Sequence, residues 1–142
     1  MIRKIYKFGG ASVKEADAVR NLKQIVENHK NEDILLVVSA MGKMTNAIEK
    51  VLADFRAHDG QLGWEAMSPI MEFHEKIITD LFEPDKVDAV IEKVTMLLIE
   101  LYDKLKDTHK AYDYQYDQTV CYGELISTTI IAAYLNESGI PT

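Results

Sequence analysis

The chain has 142 residues, 47% of them hydrophobic, and its 23 acidic and 16 basic side chains give a formal net charge of −7. A chain of about 150 residues can bury roughly two-thirds of its unfolded surface, so a globular domain with its own core is expected and disorder is not. The acidic balance, with no basic cluster longer than Arg3-Lys4, argues against nucleic acid as the main partner; an anionic nucleotide stays open, because backbone amides and one lysine can hold phosphate.

Ile2–Phe8 reads as a short strand closed by Gly9-Gly10. A helix follows from about Lys14 to His29, with Val19, Leu22, Ile25 and Val26 at helical spacing. After a polar turn, Ile34–Val38 is a continuous apolar run, as expected of a parallel strand buried on both faces. The pattern then becomes helical. Thr45 could cap a helix carrying Ile48, Val51, Leu52 and Phe55, and a Gly60–Gly63 break leads to a second with Ile70, His74, Ile77 and Leu81. Pro84 opens a third, with Val87, Val90, Val94, Leu98, Leu101 and Leu105 on one stripe. Ala111–Tyr116 reads as a Tyr-rich link. A last helix, capped by Asp117, runs through Ile126 and Ile130 to a stop at Gly139. Two strands against five helices suggest part of a larger domain, because a two-stranded sheet is a poor core by itself.

Cys121 is the only cysteine, which excludes a disulfide framework and a cysteine-based metal site; a buried, apolar role is expected for it. The four histidines show no metal-binding spacing, so no metal ligands are assigned, and His74, on an apolar stripe, reads as a packing histidine. No leader pattern and no stretch of 18 apolar residues occurs, so no membrane partner is expected and the cytoplasm is the default location.

Three segments could carry chemistry. Lys7-Phe8-Gly9-Gly10-Ala11-Ser12-Val13 lies between a strand and a helix. Its glycines would let the backbone approach a ligand, and Lys7 could spread charge over phosphoryl oxygens, although a plain tight turn has the same look. Ser39–Asn46 follows the buried strand, at the edge where open α/β sheets bind ligands; Thr45 or Asn46 could equally serve only as a cap. Gly123-Glu124 places a glycine inside a helix at a cost of about 1 kcal/mol against alanine, which asks for a close approach; Glu124 could accept hydrogen bonds from an ammonium group or simply face solvent.

Lys-Phe-Gly-Gly-x-Ser-Val, Val-Ser-Ala-x-x-x-x-Thr-Asn and Gly-Glu-x-x-Ser/Thr, in this order and spacing, resemble the aspartate kinases of the amino-acid kinase fold. The likeness runs over 3–46 and 117–139, and Ala11 stands where the family commonly has threonine. It implies a partial three-layer αβα (carbamate kinase-like) α/β domain, with a mainly parallel sheet and a helix-rich insertion. It also implies that Lys7, Phe8, Gly9, Gly10 and Ser12 meet the ATP phosphates, with Lys7 catalytic, and that Ser39, Thr45 and Glu124 line the aspartate pocket. The implied reaction moves the γ-phosphoryl group of ATP, used with Mg2+, to the β-carboxylate of L-aspartate. Residues 1–142 would be the N-terminal, substrate-side half of the kinase domain, without the nucleotide half and the regulatory ACT domains. Such a piece should be inactive alone, and the full-length protein a homo-oligomer. The alternatives are a glutamate or acetylglutamate kinase, against which the second and third motifs argue, and a non-catalytic binding or assembly module.

Overall fold

A computed structural model describes residues 4–142. Strand β1 (Lys4–Phe8) leads through a 3-10 turn (Gly10–Val13) into helix α1 (Ala16–Glu27), and strand β2 (Ile34–Val38) follows. Helices α2 (Met44–Ala57), α3 (Ser68–Leu81), α4 (Pro84–Lys106), α5 (Tyr112–Val120) and α6 (Tyr122–Glu137) complete the chain, with a 3-10 turn at Trp64–Met67 before α3. The start of the expected first strand, Ile2 and Arg3, lies outside the described residues. The strands pair in parallel, from Lys4 opposite Ile34 to Phe8 opposite Val38, so that strand, helix and strand form the expected βαβ unit.

β2 departs from expectation in its burial. Ile34, Leu36 and Val38 are half-buried and share a groove with Val26 of α1 and Ile131 and Leu135 of α6. Leu35 and Val37 are 42% and 40% exposed, and Ile5 beside them on β1 is 66% exposed. The sheet is covered on one face only, so the continuous apolar run is not buried on both sides.

The core lies mainly among the helices. Ile48, Leu52 and Phe55 of α2, Ile70 and Ile78 of α3, Leu98, Leu101 and Leu105 of α4, and Ile126 of α6 are all essentially inaccessible. Each contributes on the order of 1.5–3 kcal/mol by burial. Pro84 opens α4 as expected. Gly139, at φ +78, closes α6 while the Ile140 N–H donates back to the Leu135 carbonyl at 2.9 Å.

Four local expectations need correction. Thr45 does not cap α2: the helix starts at Met44, preceded by Gly42 at φ +56, and Thr45 lies inside the first turn. The Tyr-rich link is helix from Tyr112, and Asp117 falls within α5 instead of capping α6. What α5 buries is polar: the Gln115 amide donates to the carbonyls of Lys104 (3.1 Å) and Leu105 (3.0 Å) at the end of α4. Gln115 also accepts from Arg56 at 2.7 Å, and the Thr119 hydroxyl donates to the Gln115 carbonyl at 2.8 Å. Cys121, at the joint of α5 and α6, is exposed, not buried.

His74 is fully buried on α3, where its Nδ1–H donates to the Ile70 carbonyl at 2.7 Å. Burial holds its imidazole well below the ordinary 6.5, at about 4, against a smaller upward pull from that hydrogen bond. The unfolded chain therefore takes up the proton first as pH falls. The stability held above pH 6.5 should decline toward pH 4, by at most about 3 kcal/mol from this residue. Urea unfolding at pH 7 and pH 4.5 should show this loss in the native chain and a shallower one in His74→Leu. Equal losses in both would assign the acid sensitivity elsewhere.

Candidate functional site

Because β1 and β2 are parallel, the loops after them leave the sheet at one edge. The Ser39 N–H donates to the Phe8 carbonyl at 2.9 Å, extending the ladder by one bond. Gly9 is extended, at φ −74 and ψ 170, and its carbonyl accepts from the Ser12 N–H at 2.9 Å to close the 3-10 turn. The Gly42 N–H then donates to the Gly10 carbonyl at 3.0 Å, joining the two loops. A Cβ at Gly10 would lie 2.6 Å from the Gly42 carbonyl oxygen and 3.0 Å from that of Ala40, so only glycine allows this approach.

The third segment reaches the same place. A Cβ on Gly123, in the first turn of α6, would lie 2.7 Å from the Cβ of Ala40. The helix-interior glycine thus has a steric cause, which is the seating of α6 on the loop after β2. Tyr122 next to it is buried and donates its hydroxyl to Glu100 of α4 at 3.1 Å, pinning the start of α6. Burial, helped by the Glu100 carboxylate, pushes the Tyr122 phenol up to about 12, so this donor stays protonated throughout the physiological range.

Lys7, opposite Val37, lies near the carboxyl end of β1 on the uncovered face of the sheet; it is exposed and makes no hydrogen bond or ion pair among the described residues. Phe8 is half-buried against the core, anchoring the strand end before the glycines. Ser12 is exposed, Ser39 and Thr45 are half-buried, and Glu124 is exposed in the first turn of α6. The close contacts at Gly10, Gly42 and Gly123 therefore gather Lys7, Gly9, Gly10, Ser12, Ser39 and Thr45 at one edge and bring the α6 turn bearing Glu124 against it. Helix α1 starts at Ala16, so the amides closest in sequence to Gly9 and Gly10 belong to the 3-10 turn.

Sequence reasoning did not foresee three participants. Ala40, buried, is the seat for Gly123. Phe73 of α3 places its ring edge 3.2 Å from where a Cβ on Gly42 would be, backing the left-handed turn; nothing in its sequence context signals this. Ser127, one turn beyond Gly123, is fully buried. Its place in the Gly-Glu-x-x-Ser/Thr motif was the available signal. An edge of this kind, with exposed backbone, hydroxyls, the Lys7 ammonium and the Glu124 carboxylate, can hold a phosphate beside a small amino acid.

A family model described as the amino acid kinase family matches residues 3–142. Aspartokinase 1, chloroplastic, of Arabidopsis thaliana is 30% identical over 141 residues, which cover 96% of this chain and 24% of that protein. The bifunctional aspartokinase/homoserine dehydrogenase, chloroplastic, of Daucus carota is 28% identical over 95% of this chain and 15% of its own length. Among solved structures, Escherichia coli aspartokinase III in complex with lysine and aspartate, in its T-state, has the same fold with a TM-score of 0.78. That match is 24% identical over 96% of this chain and 29% of the other. The R-state structure of that enzyme, in complex with aspartate and ADP, gives a TM-score of 0.67. The chain spans less than a third of the length of each of these proteins.

Proposed function

We propose that this chain, which belongs to the amino acid kinase family, contributes the phosphate-side and acceptor-side loops of an aspartate kinase. The full-length protein would transfer the γ-phosphoryl group of Mg-ATP to the β-carboxylate of L-aspartate, giving 4-phospho-L-aspartate and ADP. The observation that carries this reading is the meeting of two loops and the start of α6, through Gly10, Gly42 and Gly123, at the carboxyl edge of a parallel strand pair. The aspartokinase relatives support the choice of acceptor. Residues 1–142 would form the substrate-side half of the kinase domain and would not turn over alone at a useful rate.

In the reaction, an oxygen of the β-carboxylate attacks the γ-phosphorus as the bond to the β,γ-bridging oxygen breaks, and ADP leaves. No covalent enzyme intermediate is required; the task is to position two anions and offset their repulsion. Lys7 would spread positive charge over the transferring oxygens while the amides around Gly9, Gly10 and Ser12 meet the phosphates. Phe8 would hold this turn in place. The hydroxyls of Ser39 and Thr45 would donate to the acceptor, and Glu124 would accept from its α-ammonium. Magnesium travels with the nucleotide in this reading, held chiefly by the phosphate oxygens. No helix among the described residues is long and apolar enough to cross a membrane. We place the full-length protein in the cytoplasm as a homo-oligomer.

The test is ADP release by the full-length protein with L-aspartate, L-glutamate or N-acetyl-L-glutamate as acceptor. Turnover should require L-aspartate. Removing a charge-assisted hydrogen bond costs about 1.5–3 kcal/mol, so Glu124→Ala should raise the KM for aspartate about tenfold to hundredfold and leave that for Mg-ATP unchanged. Preference for either other acceptor would move the protein to another branch of the family.

A further inference from the structure

Ser127 has no exposure to solvent, and its hydroxyl finds no hydrogen-bond partner among the described residues. This is unusual, because a buried hydroxyl without a bond destabilises the fold and most native ones are satisfied. Other polar side chains on α6 solve the problem locally: Thr129 donates to the Leu125 carbonyl at 2.8 Å, and Asn136 to the Ala132 carbonyl at 2.8 Å. Ser127 makes no such bond to the carbonyl of Gly123.

Its level in the fold follows from two sets of contacts. Gly123 sits on Ala40, while Thr128, Ile131 and Leu135 share a groove with Ile34, Leu36 and Val38. Helix α6 therefore runs antiparallel to β2. The four-residue step from Gly123 to Ser127 advances about 6 Å, close to the span of two strand residues. Ser127 thus lies on the Gly123 side of the helix, at the level of Val38 and Ser39, where the strand becomes the loop.

We propose that Ser127 is a positioning residue for the acceptor loop, donating its hydroxyl to the backbone at Val38–Ala40 when the carboxylate acceptor is bound and so holding Ser39 against it. This rests on the aspartate kinase reading. The hydroxyl touches no reacting atom; it acts through the loop that bears Ser39.

The test compares the full-length protein with its Ser127→Ala variant, using Thr128→Ala, which alters an exposed neighbour, as the control. Alanine is smaller and favours helix, so folding is not at risk. Loss of one neutral hydrogen bond in the liganded state predicts a KM for L-aspartate raised about threefold to tenfold. The KM for Mg-ATP and kcat should stay within twofold, and the thermal midpoint should hold or rise. An unchanged KM for aspartate overturns the proposal, as does a lowered midpoint with both KM values raised together, which would mark a packing role. If the unmodified full-length protein phosphorylates no aspartate, the functional reading itself fails and the Ser127 role falls with it; an active parent with an indifferent Ser127→Ala variant defeats this inference alone.

Discussion

Lys7→Ala in the full-length protein is expected to lower kcat about a hundredfold to a thousandfold, the cost typical of removing one donor that stabilises transition-state charge. The thermal midpoint should barely move. Lys7 is exposed and unpaired among the described residues, and surface substitutions of this kind usually stay within about 0.5 kcal/mol. The separation of the two effects is what identifies a catalytic charge. The phosphoryl group in flight carries negative charge on its equatorial oxygens, and an ammonium fixed at a strand end can offset that charge without reorganising. Lys7→Arg should recover only part of the rate, because a planar fork does not occupy the position of a compact ammonium. A normal rate in Lys7→Ala would remove Lys7 from the mechanism. A collapse in midpoint would show that its role is structural.

Gly10→Ala is expected to damage both fold and activity. The added Cβ would stand 2.6 Å from the Gly42 carbonyl oxygen and 3.0 Å from that of Ala40, both backbone atoms that cannot rotate aside. Relieving the clash separates the two loops and weakens the bond from the Gly42 N–H to the Gly10 carbonyl. Overpacking of this kind costs about 1–3 kcal/mol, and a misplacement of about 1 Å at a reacting centre can cost a hundredfold in rate. Gly9→Ala makes a sharp comparison, because nothing lies within 4 Å of its would-be Cβ and its φ is −74. It should fold with an unchanged midpoint and yet raise the KM for Mg-ATP if phosphate approaches the backbone there. Equal behaviour of the two variants in unfolding experiments would contradict the packing described for Gly10.

The contrast between these neighbours also shows where sequence reasoning reaches. Gly9-Gly10 after an apolar strand announced a turn, and the parallel rule placed it beside Ser39–Asn46, which is where the two loops lie. Which glycine was sterically required depends on what crosses behind it, and that is a tertiary fact. Gly123 was flagged by its local cost within a helix; that Ala40 occupies the space is visible only in three dimensions. Helix α5 escaped notice because its buried positions are Gln115 and Thr119, and apolar periodicity is blind to a polar side chain that closes the end of another helix. The run Ile34–Val38 signalled a strand correctly, but such a run carries no information on whether both faces are covered within this chain; Leu35 and Val37 are not. Phe73 and the orphan hydroxyl of Ser127 had the weakest local signals, because their roles come from what they face.

The most direct test of the central claim is to trap the product of the full-length protein with hydroxylamine, which converts an acyl phosphate into a hydroxamate. Aspartyl hydroxamate should form only when both ATP and L-aspartate are present, in step with ADP release, and should vanish with Lys7→Ala. ADP release without hydroxamate, or hydroxamate formed from L-glutamate in preference to L-aspartate, would contradict the assignment of these three segments to an aspartate kinase site.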